Sequence, residues 1–467
     1  MTQLVWFRND LRTADNAALT AACAQDQPVR ACFIATPAQW HSHDWSPARI
    51  RFVVDHVNSL AEDLAGVGIP FDILQGDWFS DCIPLISDLC RKHRVRQLHF
   101  NEELGVNERR RDQALRDKLA QDNVTACKYR DQTVAPVGSI LTQQQEPYSV
   151  FTPFARRWRQ WTGDNMPELH PVPKAKGEAM KPARFPSQID GYSKAPPPLV
   201  PVGEQAAHNQ LAEFLEERAA DYNRHRDIPS VDGTSLLSPY LANGVLSGRQ
   251  CWAAALEAMT GAGNARDGLD TWLNEITWRD FYIHILYHYP RVSMHRAFKP
   301  ETEALPWNHP GDAFEAWKEG QTGIPLVDAA MRQLNQTGWM HNRLRMVTAM
   351  FLTKNLFIDW RLGEAYFMNR LVDGFLASNN GGWQWSASTG TDSAPYFRIF
   401  NPATQGERFD PSGEFIRRYV PELASLDNKR IHQPWLKGGP AKGYPKPIVD
   451  LKESRKQAIA NFQALKD

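Results

Sequence analysis

VRACFIATPAQWHSHDWSPARIRFVVDHVNSLAEDLAGVGIPFDILQ, residues 29–75, reads as strand, helix, strand. Val29–Ala35 and Phe71–Gln75 are short apolar runs of strand length. Between them, Pro47–Leu64 repeats its apolar positions at helical spacing. That helix has a marked start: Ser46 is the cap, and Pro47 sits in the first turn, where its missing N–H costs nothing. Strands joined through a helix in this way run parallel. The pattern continues on both sides, with strands expected at Leu4–Phe7, Val95–Phe100 and Val124–Tyr129. Helices are expected at Asn16–Ala24, Ser80–His93 and Asn107–Leu119. The amino-terminal region is therefore expected to be a doubly wound, Rossmann-like parallel sheet of the α/β class, with any ligand beyond the carboxyl ends of its strands. No G-x-G-x-x-G follows the first strand, so a conventional dinucleotide site is not expected there.

At 467 residues the chain is too long for one ordinary core. Residues 132–203 read as a linker, with nine prolines between Met166 and Pro201 and few consecutive apolar residues. Residues 204–467 show helix-period patterns and almost no β-branched strand runs, so an all-α second domain is expected after an α/β domain at 1–131. Ten of the sixteen tryptophans lie in that second region, where a large helical core would use them. Apolar residues make up 42% and charged residues 23%, the balance of a soluble globular protein. No apolar run reaches the length of a membrane span. The opening MTQLVWFRNDLR lacks a basic stretch followed by an apolar one, so no export signal is expected. Six cysteines (Cys23, Cys32, Cys82, Cys90, Cys127 and Cys251) form no CxxC pair, which suits a reducing cytoplasm and argues against a bound metal. With 53 basic and 53 acidic side chains the net charge is zero, so nucleic-acid binding would need a local basic patch.

Four segments carry unusual chemistry. In Tyr222–Leu241, Gly233, Thr234, Ser235 and Ser238 precede a helical run; they either aim N–H and O–H groups at an anion or serve as a plain helix cap. In WLNEITWRDFY (272–282), Glu275, Trp278, Arg279 and Tyr282 fall at helical spacing on one face. A stripe holding a carboxylate, an indole, a guanidinium and a phenol is expensive to bury without something to satisfy it. In TGWMHNRLRM (337–346), Asn342, Arg345 and Met346 share a face that suits a planar polar heterocycle, while Arg343 points elsewhere. In NNGGWQW (379–385), two asparagines and two glycines between aromatic anchors would let backbone approach a ligand closely, and this is the least helix-like segment of the chain.

WLNEITWRDFY, TGWMHNRLRM, NNGGWQW and APYFRIFNP (394–402) resemble, in order, the motifs of the photolyase/cryptochrome flavoprotein family, and the likeness runs from VWFRNDLR onward. Within that family the sequence is most similar to bacterial class I enzymes acting on cyclobutane pyrimidine dimers. The resemblance implies FAD held in the helical domain, with Tyr222, Thr234, Ser235, Leu236, Leu237 and Ser238 at its phosphates. Trp272, Arg279, Trp339, Arg345, Asp373, Phe375 and Asn379 would surround flavin and adenine, Asn379 facing the flavin N5. It further implies a cavity for a flipped-out lesion, with Trp278 and Trp385 as the apolar wedge, Glu275 as its hydrogen-bonding partner, and Asn342 and Met346 lining it. Arg226, Tyr282, Arg343, Arg398 and Gln405 would contact DNA, and Trp307, Trp360 and Trp383 would carry electrons to the flavin. His43, Asn107 and Glu108 match positions that hold an antenna chromophore, methenyltetrahydrofolate in the first place and a deazaflavin as the alternative.

The sequence also departs from the family pattern. Ser293 and Met294 stand where a cysteine and a lysine would face the folate. Leu236 replaces a common arginine, and Phe375 a common acid near the flavin. The implied partner is ultraviolet-damaged DNA, met by a cytoplasmic monomer with no obligate protein partner. A blue-light signalling receptor of the same fold is the alternative, and a DNA-binding flavoprotein without catalysis is a third. Asn379, Trp278, Trp385 and the lack of a long tail favour the enzyme.

Overall fold

The computed structural model describes residues 2–185, 189–261, 263–436 and 441–465. It divides into two compact units. The first comprises residues 1–220, 235–290 and 372–375; the second comprises 221–234, 291–371 and 376–467.

The first unit is built on five parallel strands: β1 (Thr2–Phe7), β2 (Val29–Ala35), β3 (Phe71–Gln75), β4 (Val95–Asn101) and β5 (Thr125–Tyr129). Their order is β3-β2-β1-β4-β5, with Val5 beside Ala31 on one side and His99 on the other. All five strands fall where the alternation of apolar runs places them. Four expected helices are present as α1 (Ala17–Cys23), α3 (Pro47–Gly66), α4 (Cys82–His93) and α5 (Val106–Gln121). The Ser46 side chain accepts from Arg49 N at 3.0 Å, the cap its sequence announces. A short helix, α2 (Pro37–Ser42), went unforeseen because its six residues are too few to show a period. One face of the sheet buries Leu4, Trp6, Leu98, Phe100 and Leu115 in a single cluster.

The strand order reverses between β1 and β4, the point where sheets of this kind leave a crevice. Here the chain lays its own charges across those strand ends. Arg8 reaches Asp112 at 2.8 Å, Arg111 reaches Glu103 at 2.8 Å, and Arg12 pairs with Asp131, all of them buried. Each charge has an opposite partner, as burial demands.

The helices of this unit continue with α6 (Phe151–Asn165) and α7 (Glu204–Glu217). The second unit then contributes α8 (Tyr222–His225), and the first unit resumes with α9 (Ser238–Ala242), α10 (Gly248–Met259) and α11 (Arg266–His288). Helix α6 lies inside the proline-poor half of the stretch expected to be a linker and packs along α11. Trp158 Nε1 donates to Asp280 at 2.9 Å, and Phe154 lies 5.1 Å from Phe281.

The described remainder of the second unit is helical: α12 (Gly311–Glu319), α13 (Pro325–Thr337), α14 (Asn342–Met350), α15 (Trp360–Met368), α16 (Leu376–Ala387), α17 (Pro402–Phe409), α18 (Glu414–Tyr419) and α19 (Leu451–Gln463). Its core gathers Trp317, Met331, Leu352, Trp360, Phe367 and Trp383. One expectation fails. NNGGWQW is not an irregular turn but the middle of α16. Its amides bond along the helix and to a buried neighbour instead of breaking it: Gln384 donates to Asn380 at 2.8 Å, and Asn380 donates to Glu364 at 2.9 Å. Tertiary hydrogen bonds thus override two glycines.

All six cysteines are free. Among the described residues no helix is long and apolar enough to cross a membrane.

Candidate functional site

In the first unit the chemistry gathers on α11. Trp272 is buried against Phe214, with ring centroids 5.2 Å apart. Glu275, Trp278 and Tyr282 are half-buried, and the rings of Trp278 and Tyr282 lie 5.6 Å apart. Arg279 turns away from this pair. Its guanidinium donates to Gln132 O at 2.6 Å and Leu241 O at 3.3 Å, with the Phe375 ring 5.5 Å away. Burial holds its pKa below the ordinary value. The neighbouring Asp280 faces inward and accepts from Val134 N, Ala135 N and Trp158 Nε1; burial raises its pKa to about 6. The helix thus carries a polar aromatic stripe over a carboxylate anchor.

Ser235–Ser238 leads into α9, a helix with no side-chain cap. Leu236 adopts the left-handed conformation, φ 52°, which turns the backbone sharply before Ser238. Gln210 holds the turn by donating to Ser235 O at 3.1 Å. Asp373 is buried in the short segment 372–375 that also contains Phe375.

The antenna candidates cluster in the same unit. Nε2 of His43 lies 3.1 Å from the Gln39 amide nitrogen and 3.0 Å from that of Asn107, so it is the acceptor. Its Nδ1 then carries the proton, 3.5 Å from Glu108. Burial and the neighbouring Glu103 carboxylate raise the Glu108 pKa to about 7, against the pull of Arg111.

In the second unit, Tyr222 is buried under Arg226, whose guanidinium lies 5.6 Å from its ring. Gly233 is required here, because a Cβ would meet Cβ of His225 at 2.6 Å. Helix α14 presents Asn342 exposed and Arg343, Arg345 and Met346 half-buried. His341 caps it: Nδ1 accepts from Arg343 N at 3.2 Å, and burial pushes the imidazole down to about 4, so it stays neutral and able to accept. Trp339 stands edge-on to His341. Arg345 Nε is tied to Met340 O at 2.7 Å.

On α16, Trp385 is half-buried, and the Asn379 amide nitrogen donates to Glu364 O at 3.1 Å. That bond uses the amide's donor side, and an amide oxygen can accept. Trp383 is buried 6.0 Å from Trp317, and Trp360 is buried. Trp307 is half-buried, 4.8 Å from Phe357. Arg398 is exposed and Gln405 half-buried on α17. Met294, in the turn with Ser293, is half exposed.

Each unit by itself holds side chains whose chemistry suits a flavin nucleotide: a largely buried guanidinium and a tight hydroxyl-bearing turn in the first, a half-buried guanidinium, flat indoles and a side-chain amide in the second. Sequence reasoning passed over Glu364, His341 and Phe151. The backbone carbonyl of Glu364 holds Asn379 and its carboxylate holds Asn380, while His341 caps α14; a main-chain acceptor and a lone histidine give no sign of such roles in the sequence.

The model for the FAD binding domain of DNA photolyase matches residues 272–464, and that for DNA photolyase matches residues 3–175. The deoxyribodipyrimidine photo-lyase of Escherichia coli (strain K12) is 46% identical over 99% of this chain and 98% of its own. Among solved structures, a class III photolyase from Agrobacterium tumefaciens superposes with a TM-score of 0.87 at 34% identity, covering 100% of this chain and 98% of its own. A Synechocystis sp. PCC6803 cryptochrome superposes with a TM-score of 0.88 at 29% identity, covering 98% of each. With relatives this similar along nearly its whole length, the chain belongs to the DNA photolyase family.

Proposed function

We propose that this protein uses light to split cyclobutane pyrimidine dimers in ultraviolet-damaged DNA. The observation that carries this reading is the likeness, along nearly the full length of both chains, to a deoxyribodipyrimidine photo-lyase. When bound, reduced FAD would supply light-driven electron-transfer chemistry at the cyclobutane ring with no net redox change, which makes the reaction a lyase reaction.

The chain's own residues do the rest. Tyr222 and the turn Thr234–Ser238 hold the cofactor's phosphates through O–H and backbone N–H groups. Trp272, Arg279, Trp339, Arg345, Asp373 and Phe375 surround flavin and adenine. Asn379 would offer a neutral amide to the flavin, adding no negative charge, which favours keeping it reduced. Enzymes of this kind take the damaged bases out of the stack, at a cost of a few kcal/mol that a lesion already reduces. Trp278 and Trp385 offer flat apolar faces to the joined pyrimidines, Asn342 and Met346 line their pocket, and Glu275 hydrogen-bonds them. Arg226, Tyr282, Arg343, Arg398 and Gln405 hold the backbone without reading sequence. Trp307, Trp360 and Trp383 would offer an electron path towards a bound flavin.

His43, Asn107 and Glu108 hold an antenna chromophore, methenyltetrahydrofolate before a deazaflavin. Asn107 and Glu108 both approach His43, at 3.0 and 3.5 Å, which supports a preformed polar rim. The protein acts as a monomer in the cytoplasm.

The test is loss of thymine dimers from a defined oligonucleotide, with purified reduced protein in blue light against a dark control. Light-dependent restoration of the thymines is expected. Tight binding without restoration would favour a signalling receptor, the reading that likeness to a cryptochrome keeps in view.

A further inference from the structure

We propose that Phe151 is a positioning residue for dimer recognition, setting the plane of Trp278; the inference rests on the role given to Trp278 above. The two rings lie face to face, with centroids 3.6 Å apart and planes within 5°. Aromatic pairs left to themselves prefer offset or edge-to-face arrangements with centroids 4.5–7 Å apart. So close a sandwich is held by its surroundings. Phe281 stands edge-on to both rings, 5.7 Å from each, at 77° to Phe151 and 82° to Trp278.

Phe151 itself is fixed. It is buried at the first turn of α6, and that helix is fastened to α11 by Trp158 on Asp280, by Phe154 against Phe281 and His284, and by Arg159 on Asp270 at 2.6 Å. Trp278, by contrast, is half-buried. Phe151 covers one of its faces and Tyr282 lies tilted beside it at 5.6 Å, so a flat ligand meets the indole through the surface that stays exposed. Phe151 acts as a backstop: it removes the indole's freedom to rotate before the lesion arrives, so that cost is not charged to binding.

The experiment compares wild-type holoprotein with Phe151→Leu, Phe151→Tyr, Trp278→Ala and the Phe151→Leu/Trp278→Ala pair. It measures Kd in the dark for an oligonucleotide with one thymine dimer and for its undamaged counterpart, together with flavin content. Freeing one side chain should weaken dimer binding roughly 2- to 12-fold in Phe151→Leu. Undamaged-DNA affinity and flavin content should hold, Phe151→Tyr should bind as wild type, and the leucine change should add nothing once Trp278 is alanine. A structural role alone would move undamaged-DNA affinity and flavin content together.

An effect that persists in the Trp278→Ala background, or that is equal on undamaged DNA, or that is absent, overturns the proposal. If Trp278→Ala itself leaves dimer binding unchanged, the role of Trp278 falls, and the proposal with it. Phe151→Met, which fills the space without a ring, answers the same question should the leucine variant not fold.

Discussion

Arg343 and Asp227 form an ion pair, Nη2 to Oδ2 at 2.7 Å, and the same guanidinium lies 4.5 Å from the Phe409 ring. Arg226 also approaches Asp227, at 3.9 Å. Two arginines assigned to DNA phosphates are thus held by one carboxylate in the free protein, and a phosphate must compete for them. Such partly exposed pairs are worth about 0.2–1 kcal/mol. Asp227→Asn should therefore tighten binding to DNA of any sequence by about 2- to 5-fold and steepen its salt dependence. Titrations at several salt concentrations check this, and unchanged affinity and slope would remove Arg343 from the phosphate contacts.

Trp307 is the half-buried member of the proposed electron chain, against buried Trp360 and Trp383. Phenylalanine keeps its packing on Phe357 but is far harder to oxidise. Trp307→Phe should reduce photoreduction of oxidised flavin to a small fraction of its rate while leaving repair by pre-reduced enzyme intact. Parallel loss of both would show that the residue acts in some other way.

Glu108 gives a pH signature. Its folded pKa, about 7, lies above the ordinary 4.5, so folding favours the protonated carboxyl. The contribution is therefore full at low pH and is lost as pH rises from about 4.5 through about 7, amounting to roughly 3 kcal/mol. Glu108→Gln mimics the protonated form at every pH. Its melting temperature should exceed wild type by a few degrees at pH 8 and match it near pH 4.5. A uniform gain across that range would trace the effect to packing instead.

Leu236 sits at φ 52° in the turn that leads to Ser238. The left-handed region costs an ordinary residue roughly 1–2 kcal/mol, and a β-branched one suffers most. Leu236→Gly should keep its FAD through gel filtration, whereas Leu236→Val should lose both flavin and several degrees of stability. Equal flavin retention in the two variants would show that the turn's shape does not matter to the cofactor.

The sheet was legible in the sequence because each strand is a separate apolar run, and because Ser46-Pro47 announces α3 through local chemistry alone. Helix α16 was not. Its two glycines and two asparagines speak for a turn, and tertiary bonds such as that from Asn380 to the distant Glu364, with the Asn380–Gln384 pair along the helix, reverse that preference. The site residues were reached through long motifs and not through periodicity. Periodicity placed Glu275, Trp278, Arg279 and Tyr282 on one stripe, but it could not say that Arg279 turns to the carbonyls of Gln132 and Leu241. Phe151 lay in a region read as linker, where a ring has no visible partner until α6 meets α11.

The first unit does not occupy one continuous stretch of chain. Its last piece, Val372–Phe375, follows 81 residues of the second unit and supplies Gly374 O, to which buried Arg49 donates at 2.5 Å, and the ring beside Arg279. On a ribosome adding about 5–20 residues per second, that piece emerges roughly 4–17 s after Pro290. The sheet can form early, but Arg49 must wait for its acceptor until about half of the second unit has been made. Neither unit can be released as an independent product by a single cut, so the order of synthesis couples the maturation of the two.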